Sequence, residues 1–489
     1  MNPRFSNVSD RLLIVALSLI GIFQLATIQP GMTGGEDSAL YLLHARNIAF
    51  GRPYLATGYI YSIETAKYSP AAYPPVFPVL LAPIFRFNGP NPGPYKVLMV
   101  SVLVLSLLVI ALLYRRSLSL GQLLLLVVLL GCNPYITEQK NEIMSDLPFL
   151  LFVYVALLLF GDVGEPRGES SSYLLRAVFA GFFSYLAYGT RAIGIGIIFS
   201  IIPFALFRYR RVPRSVIVAV AIFAVFAGLQ SRLVSVNSDY LRMATSIEST
   251  PLQNLHFYAG VMSHLWDAGI GAFPRFAIFA IATSLSLVGA FRQSLRSLDL
   301  PTFFCLGYGL FLVCWPHQQA RYLLPLIPVY LYYLVRSVNA ASKFATKRSQ
   351  TAGTLTLAVL TGMLLVAYAG KYTASAFTTS LYAWDSASQR QLYALVRTST
   401  PVDAVIIASA PRALALYTGR QTAQFPEELD TENFLKYITK IGATYVLISR
   451  TDVRHLASLS ACIPEPVFSN PNYILYKTTV PTLRKLNSP

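Results

Sequence analysis

Charge is what this sequence has least of. Asp, Glu, Lys and Arg make up 12% of its 489 residues, about half the roughly 25% of an average soluble domain. That shortage excludes a disordered chain, which stays solvated by its charge, and a soluble multidomain protein. Cysteine is nearly missing as well. Cys132, Cys305, Cys314 and Cys462 form no C-x-x-C pair, which excludes a disulfide scaffold, a zinc knuckle and a dithiol redox motif. Internal repeats and low-complexity tracts are lacking too.

What fills the space is apolar. Hydrophobic residues make up 54% of the chain, and the mean hydropathy is +0.52. The composition points to a mainly α polytopic membrane protein. The net charge of +17 would suggest nucleic acid in a soluble protein. Here no basic stretch carries interleaved aromatics, so no nucleic-acid partner is expected. The positive charge reads as basic loops beside membrane spans.

A spanning helix needs about 20 mostly apolar residues. Apolar runs lie near 11–29, 95–113, 119–134, 147–161, 173–189, 192–207, 214–230, 273–291, 301–315, 322–338 and 352–370. The sequence therefore predicts about 11 transmembrane helices. With the N-terminus cytoplasmic, Arg115–Arg116, Arg208–Arg214, Arg292–Arg296 and Arg336–Arg348 all fall on the inner side, as the positive-inside bias requires. The C-terminus then lies outside. The long outer loops run near 30–73 and 231–273. In the first, DSALYLLHARNIAFG predicts a helix lying in the membrane interface. VLLAPIF (79–85) is too short to span and reads as re-entrant or interfacial.

Past residue 370 the composition turns more charged. AVIIAS (404–409), TYVLIS (444–449), PVFSN and YILYKT read as strands, and PEELDTENFLKYITKIG as an amphipathic helix stopped at Gly442. The expected organisation is a transmembrane domain, 1–370, and a small extracytoplasmic α/β domain, 371–489. In the latter, His455 with Asp452 is a weak pair, and a role in binding the acceptor or covering the site is expected.

Several polar residues stand where packing does not demand them. Asp37 follows Glu36 in GGEDS, just past the first span, and Asp146 opens DLPFLLF on the outer side. Helix capping is the plain alternative for each. Two acids on one leaflet surface could instead hold a divalent metal or supply a general base. Arg191 in YGTRAIGIG, Arg275 in AFPRF and Arg321 in HQQARYLLPLIP stand at outer span ends. They either snorkel to headgroups or clamp a phosphate.

In this order and on this side, GGEDSALYLLHARNIAFGRPY, the YPP stretch, SDLPF, TRAIG and RYLLPLIP resemble the GT-C superfamily of membrane glycosyltransferases. The likeness is to its protein O-mannosyltransferase and lipid A aminoarabinose transferase branch, over about residues 1–340. The resemblance implies a GT-C fold and an inverting transfer of sugar from a polyprenyl-phosphate-linked donor outside the membrane. The acceptor would be a protein, lipid or glycan, and the setting a cell membrane, naturally the bacterial inner membrane. It implies Asp37 and Asp146 as catalytic acids and Arg191, Arg321 and Lys67 as donor-phosphate ligands. Glu36, Tyr41 and Arg275 would support them. Asp37, Asp146, Glu64 and His264 would be ligands of a possible divalent metal, with no nucleotide or redox cofactor. The usual Glu-Lys pair of the branch is interrupted here by Thr65 and Ala66, which separates Glu64 from Lys67. For His256 and His264 the plain reading is a surface or packing residue. A transporter or flippase of lipid-linked substrates is the alternative function; it would show mid-span charges and interrupted inverted repeats, and neither is visible.

Overall fold

The computed structural model describes residues 7–161, 171–234, 249–345, 359–372, 386–426, 431–450 and 466–478. Within these ranges it omits 33–34, 63–64, 66–69, 268, 270, 295–297, 316, 360 and 367. The chain forms two compact units that interleave along the sequence rather than dividing once near residue 370. The first comprises Met1–Pro30, Tyr95–Leu233 and Ile247–Thr379; the second comprises Gly31–Pro94, Val234–Ser246 and Ser380–Pro489.

The first unit is helical among its described residues. Among the described residues five helices are long and apolar enough to cross a membrane: Val8–Ala26, Pro92–Tyr114, Ala192–Tyr209, Arg214–Arg232 and Ala272–Ser294. A sixth span arises if Leu120–Gly131 and Pro134–Asn141, bent by 50°, count as one. The expected eleven is not reached by this measure, for physical reasons visible in the chain. Asn133 caps a new helix by accepting from the Tyr135 N–H at 3.0 Å, with Pro134 in its first turn, and so interrupts the run at 119–134. The runs at 147–161 and 301–315 yield helices of only 15 residues, Asp146–Phe160 and Leu300–Cys314. About half of the run at 352–370 lies outside the described residues.

Small residues let these helices approach closely. A Cβ built on Gly181 would lie 2.2 Å from the Ala219 carbonyl oxygen, so helices Ser171–Thr190 and Arg214–Leu233 meet backbone to backbone there. Long polar reaches tie the helix breaks together. The Tyr135 hydroxyl donates to the Ala320 carbonyl at 2.6 Å, and Tyr154 to that of Pro325 at 2.9 Å.

The second unit is built on a six-stranded sheet, in the order β1-β3-β2-β4-β6-β5. Its strands are β1 (Tyr59–Ile60), β2 (Val405–Ala408), β3 (Gln421–Ala423), β4 (Tyr445–Ser449), β5 (Pro466–Ser469) and β6 (Tyr473–Lys477). β1, β3, β2 and β4 are mutually parallel, and β6 and β5 continue antiparallel. β2 is buried along its whole length because side chains alternate between two covered faces. Ile407, Val446 and Ile448 pack on one face with Phe434, Tyr437 and Ile438 of helix Thr431–Ile441. Ile406, Ala408 and Leu447 pack on the other with Leu392, Val396 and Leu414. Gly442 ends helix Thr431–Ile441 at φ +67°, a conformation only glycine adopts cheaply. The sheet is not the property of the C-terminal residues alone. β1 comes from the first long loop and pairs Tyr59 with Thr422 and Ile60 with Ala423.

Helix Gly35–Ala49 differs from the expected interfacial helix. Ser38 to Ala45 and Asn47 are all buried. Apolar residues at 39, 40, 42, 43 and 45 surround the axis instead of forming one stripe, so the helix is enclosed by protein. VLLAPIF belongs to helix Val76–Asn88, which packs Phe77, Leu81 and Phe85 inward.

Candidate active site

Asp37 stands in the second unit. Its helix starts at Gly35, φ +69°, so Asp37 occupies the first turn rather than the cap. Its Oδ1 accepts from the Tyr73 hydroxyl at 2.6 Å and from Arg412 Nη1 at 3.0 Å. Tyr41 supports this arrangement. It stacks on Tyr73 with ring centroids 4.4 Å apart and meets Phe77 edge-on at 4.9 Å.

Glu36 faces helix Pro411–Thr418. Its two carboxylate oxygens accept the backbone N–H groups of Arg412 and Ala413 at 2.7 and 3.1 Å, the orphan donors of a helix N-terminus. Burial pushes the Glu36 carboxyl up to about 7 against the opposing pull of Arg412 and these two N–H groups. Arg412 is 3% exposed and lies over the Tyr59 ring at 5.1 Å. Burial disfavours its charge, but Tyr73, Asp37, Tyr59 and Glu36 outweigh that and raise its pKa. Burial, with the nearby Asp37 charge next, holds the Tyr73 phenol well above its ordinary value. The Arg412 guanidinium thus ties Asp37, and the Arg412 and Ala413 backbone N–H groups tie Glu36, to a helix more than 370 residues later.

His44 is wholly buried beneath this group. Its ring stacks on Tyr54 at 4.2 Å. Nδ1 lies 3.0 Å from the Tyr54 carbonyl, and Nε2 accepts the Tyr73 N–H at 3.4 Å. These partners select the neutral tautomer with the proton on Nδ1. Burial lowers its pKa from 6.5 to about 4. A depressed histidine contributes stability above pH 6.5 that is lost as pH falls through 4, at most about 3 kcal/mol. Glu36 has the opposite sign: its raised pKa gives stability below 4.5 that is lost as pH rises through 7. The two trends oppose each other between pH 4.5 and 7. Melting temperatures of wild type and His44→Phe, measured from pH 7.5 to 4.5, should therefore diverge. The variant lacks the acid-side loss and should gain stability relative to wild type as pH falls; parallel curves would show that His44 does not charge on unfolding.

In the first unit, three helix breaks bring Asp146, Arg191 and Arg321 together. Asp146 opens helix Asp146–Phe160, and Ser145 makes no side-chain cap there. Arg191 sits in extended backbone before the turn Ala192–Ile195. Arg321 lies in the single turn Ala320–Leu323, held through the Tyr135 bond to Ala320. Arg191 Nη1 donates to Asp146 Oδ1, and Arg321 Nε lies 4.0 Å from Oδ2. The Arg191 guanidinium lies over the Tyr322 ring at 4.8 Å and the Phe149 ring at 6.0 Å. One carboxylate between two guanidiniums leaves one positive charge in excess. Asp146 is 3% exposed, and its arginines 13% and 21% by side chain, so the exposed side of the cluster is cationic. That suits a phosphate-sized anion.

The remaining candidates lie elsewhere. Arg275 Nη1 is 3.3 Å from His264 Nδ1, and His264 lies 3.8 Å from Asp267, which pairs with Lys371 at 2.9 Å. His256 is an exposed residue of helix Pro251–Ser263. Glu64, Lys67, Asp452 and His455 lie outside the described residues. Among the described residues no three His, Cys, Asp or Glu side chains gather as a metal site. Asp37 pairs with Arg412, and Asp146 with Arg191.

Sequence reasoning missed Arg412, Tyr73 and His44. Tyr73 lay in the YPP stretch already singled out, and His44 in the DSALYLLHARN segment. Arg412 offered only Pro411 as a helix-start signal, and nothing local tied it to Asp37.

Neither known protein-family models nor curated protein sequences give a match to this chain. Solved structures do. ArnT from Cupriavidus metallidurans bound to undecaprenyl phosphate superposes with a TM-score of 0.61 at 12% identity, over 98% of this chain and 99% of that one. The archaeal oligosaccharyltransferase AglB from Archaeoglobus fulgidus, in complex with an inhibitory peptide and a dolichol-phosphate, gives 0.57 at 12% identity, over 92% and 70%. The arabinofuranosyltransferase AftD from Mycobacteria gives 0.50 at 12% identity, over 96% and 40%. All three are GT-C membrane glycosyltransferases. At this identity the likeness establishes the fold that the sequence motifs suggested.

Proposed function

For a chain with the GT-C fold and these two carboxylate–arginine groups, we propose a membrane glycosyltransferase. It transfers a sugar from a polyprenyl-phosphate-linked donor to a protein, lipid or glycan acceptor on the extracytoplasmic face, with inversion at the anomeric carbon. The observation that carries this reading is the match over nearly the whole chain to glycosyltransferases, two of which were solved with a polyprenyl phosphate bound.

The residues supply the parts the reaction needs. Asp37 accepts the proton of the acceptor nucleophile as that atom attacks the anomeric carbon. The bond from the anomeric carbon to the phosphate oxygen breaks, and the lipid phosphate leaves with the electron pair. Arg191 and Arg321 meet the charge that grows on it, while Asp146 aligns both guanidiniums. Arg412 and Tyr73 hold Asp37 by the oxygen they share, and Tyr41 braces Tyr73. No step is assigned to a metal ion.

The test is a panel of radiolabelled polyprenyl-phosphate sugars offered to the full chain in lipid nanodiscs, with sugar release and donor binding read in the same samples. One donor should bind and release its sugar, faster when acceptor-containing membrane extract is added. Donor carried across vesicles without cleavage would instead support a flippase.

A further inference from the structure

The second unit contains a pocket that the proposed reaction does not use. Its volume is about 540 Å³, and Pro90, Asn91, Pro92, Arg390, Tyr393, Arg397 and Tyr417 line it. Small-ligand pockets generally span about 300–1,000 Å³. Arg390, Tyr393 and Arg397 follow at spacings of three and four on helix Ala387–Ser399, so they share one face. The two arginines lie about 10 Å apart along the axis. Both are exposed. Between them Tyr393, 4% exposed, stacks on Tyr417 of helix Pro411–Thr418, with centroids 4.8 Å apart and planes within 8°.

This lining has a definite chemistry. Among the described residues that line it none is acidic, and two guanidiniums flank an aromatic pair with two proline rings beside it. Guanidinium recognises carboxylate or phosphate by paired hydrogen bonds. Tyrosine and proline offer flat apolar surface with little entropy to lose, which matches the C–H face of a pyranose ring. Asn91 adds donors and an acceptor suited to hydroxyls. A bare anion would need the arginines but not the rings, and a neutral sugar the rings but not the arginines.

We propose that this pocket binds an anionic saccharide, a sugar ring carrying a carboxylate or phosphate, with the ring on the tyrosine–proline surface and the acid on Arg390 or Arg397. None of the lining residues is among Asp37, Asp146 and their arginines, so binding at this pocket is read separately from the proposed transfer.

The probes are glucose 6-phosphate, glucuronate, glucose and inorganic phosphate. Each is titrated by saturation-transfer NMR against the full chain in phosphatidylcholine nanodiscs. The two acidic sugars should bind at least tenfold more tightly than glucose or inorganic phosphate. The double variant Arg390→Gln/Arg397→Gln should lose at least tenfold for the acidic sugars. Tyr417→Leu should weaken the sugars several-fold and leave phosphate unchanged. Tyr417 is chosen because it is less buried than Tyr393, and each variant is compared at equal melting temperature. Equal binding of phosphate and glucose 6-phosphate would reduce the pocket to an anion patch and overturn the proposal. Wild-type affinity in the double variant, or no binding of either acidic sugar, would do the same. Nanodiscs with phosphatidylglycerol distinguish a lipid source: if its headgroup abolishes sugar binding, the pocket belongs to lipid and the proposal fails. Donor binding and sugar release, measured separately, stay informative in every case.

Discussion

Asp37→Asn should abolish sugar release while leaving the fold and donor binding in place. General-base catalysis contributes about 10²- to 10⁴-fold, and the variant should lose a factor in that range. Asparagine is the discriminating change. Its side-chain oxygen still accepts from the Tyr73 hydroxyl and from Arg412, the two donors that converge on Asp37 Oδ1. The hydrogen bonds around position 37 are then kept, while the capacity to take a proton and the negative charge opposite Arg412 are gone, so the melting temperature is read alongside the rate. Single-turnover release of labelled sugar in nanodiscs, with donor affinity measured alongside, reads the effect directly. A rate within threefold of wild type would remove Asp37 from the chemistry. Asp146→Asn should behave differently. It removes the anion that aligns Arg191 and Arg321, so donor affinity should change together with the rate.

Arg412→Met should damage both stability and activity. The Arg412 side chain is 4% exposed and that of Asp37 24%. Breaking a buried ion pair by removing one partner costs about 3–5 kcal/mol, because the other charge is left uncompensated. Asp37 keeps some water, so the lower end of that range applies. At about 2–4 °C per kcal/mol for a unit of this size, the expected loss is roughly 6–12 °C in the melting temperature. Two adjacent acids, Glu36 and Asp37, would then face each other without the cation between them. Sugar release should fall with stability, since the hydrogen bond to Asp37 Oδ1 is lost too. Arg412→Lys sharpens the test. Lysine restores the charge but not the fork that reaches Asp37 while stacking on Tyr59. Partial recovery of stability with poor recovery of rate would identify Arg412 as a positioning residue for Asp37. Equal recovery of both would assign it to packing alone.

Much of this protein was readable residue by residue. The described apolar runs carry helices because a run of apolar side chains with few charges specifies its own burial. Strands form at Val405–Ala408 and Tyr445–Ser449 because short apolar, β-branched stretches bounded by turns fit a sheet buried on both faces. Asp37, Asp146, Arg191 and Arg321 stood out because charge is expensive near a membrane and rare in this chain.

The count of spans was less legible, since an apolar run does not say where a helix will break. The 50° bend between Leu120–Gly131 and Pro134–Asn141 follows from a cap and a proline whose effect depends on neighbours. The interfacial reading of helix Gly35–Ala49 failed for a similar reason. Composition measures how apolar a segment is, and not whether lipid or protein encloses it.

What the sequence determined by itself is therefore local: apolar runs that become helices or buried strands, the glycine stops, and the short set of acids and arginines too costly to be incidental. Tertiary structure alone decided which of them act together. The Glu36–Arg412 and Asp37–Arg412 bonds join residues 376 and 375 positions apart, and β1 enters a sheet whose other strands begin past residue 400. Pairings over such distances arise only when the whole chain has closed, because no periodicity or propensity within a segment carries information about a partner that far away.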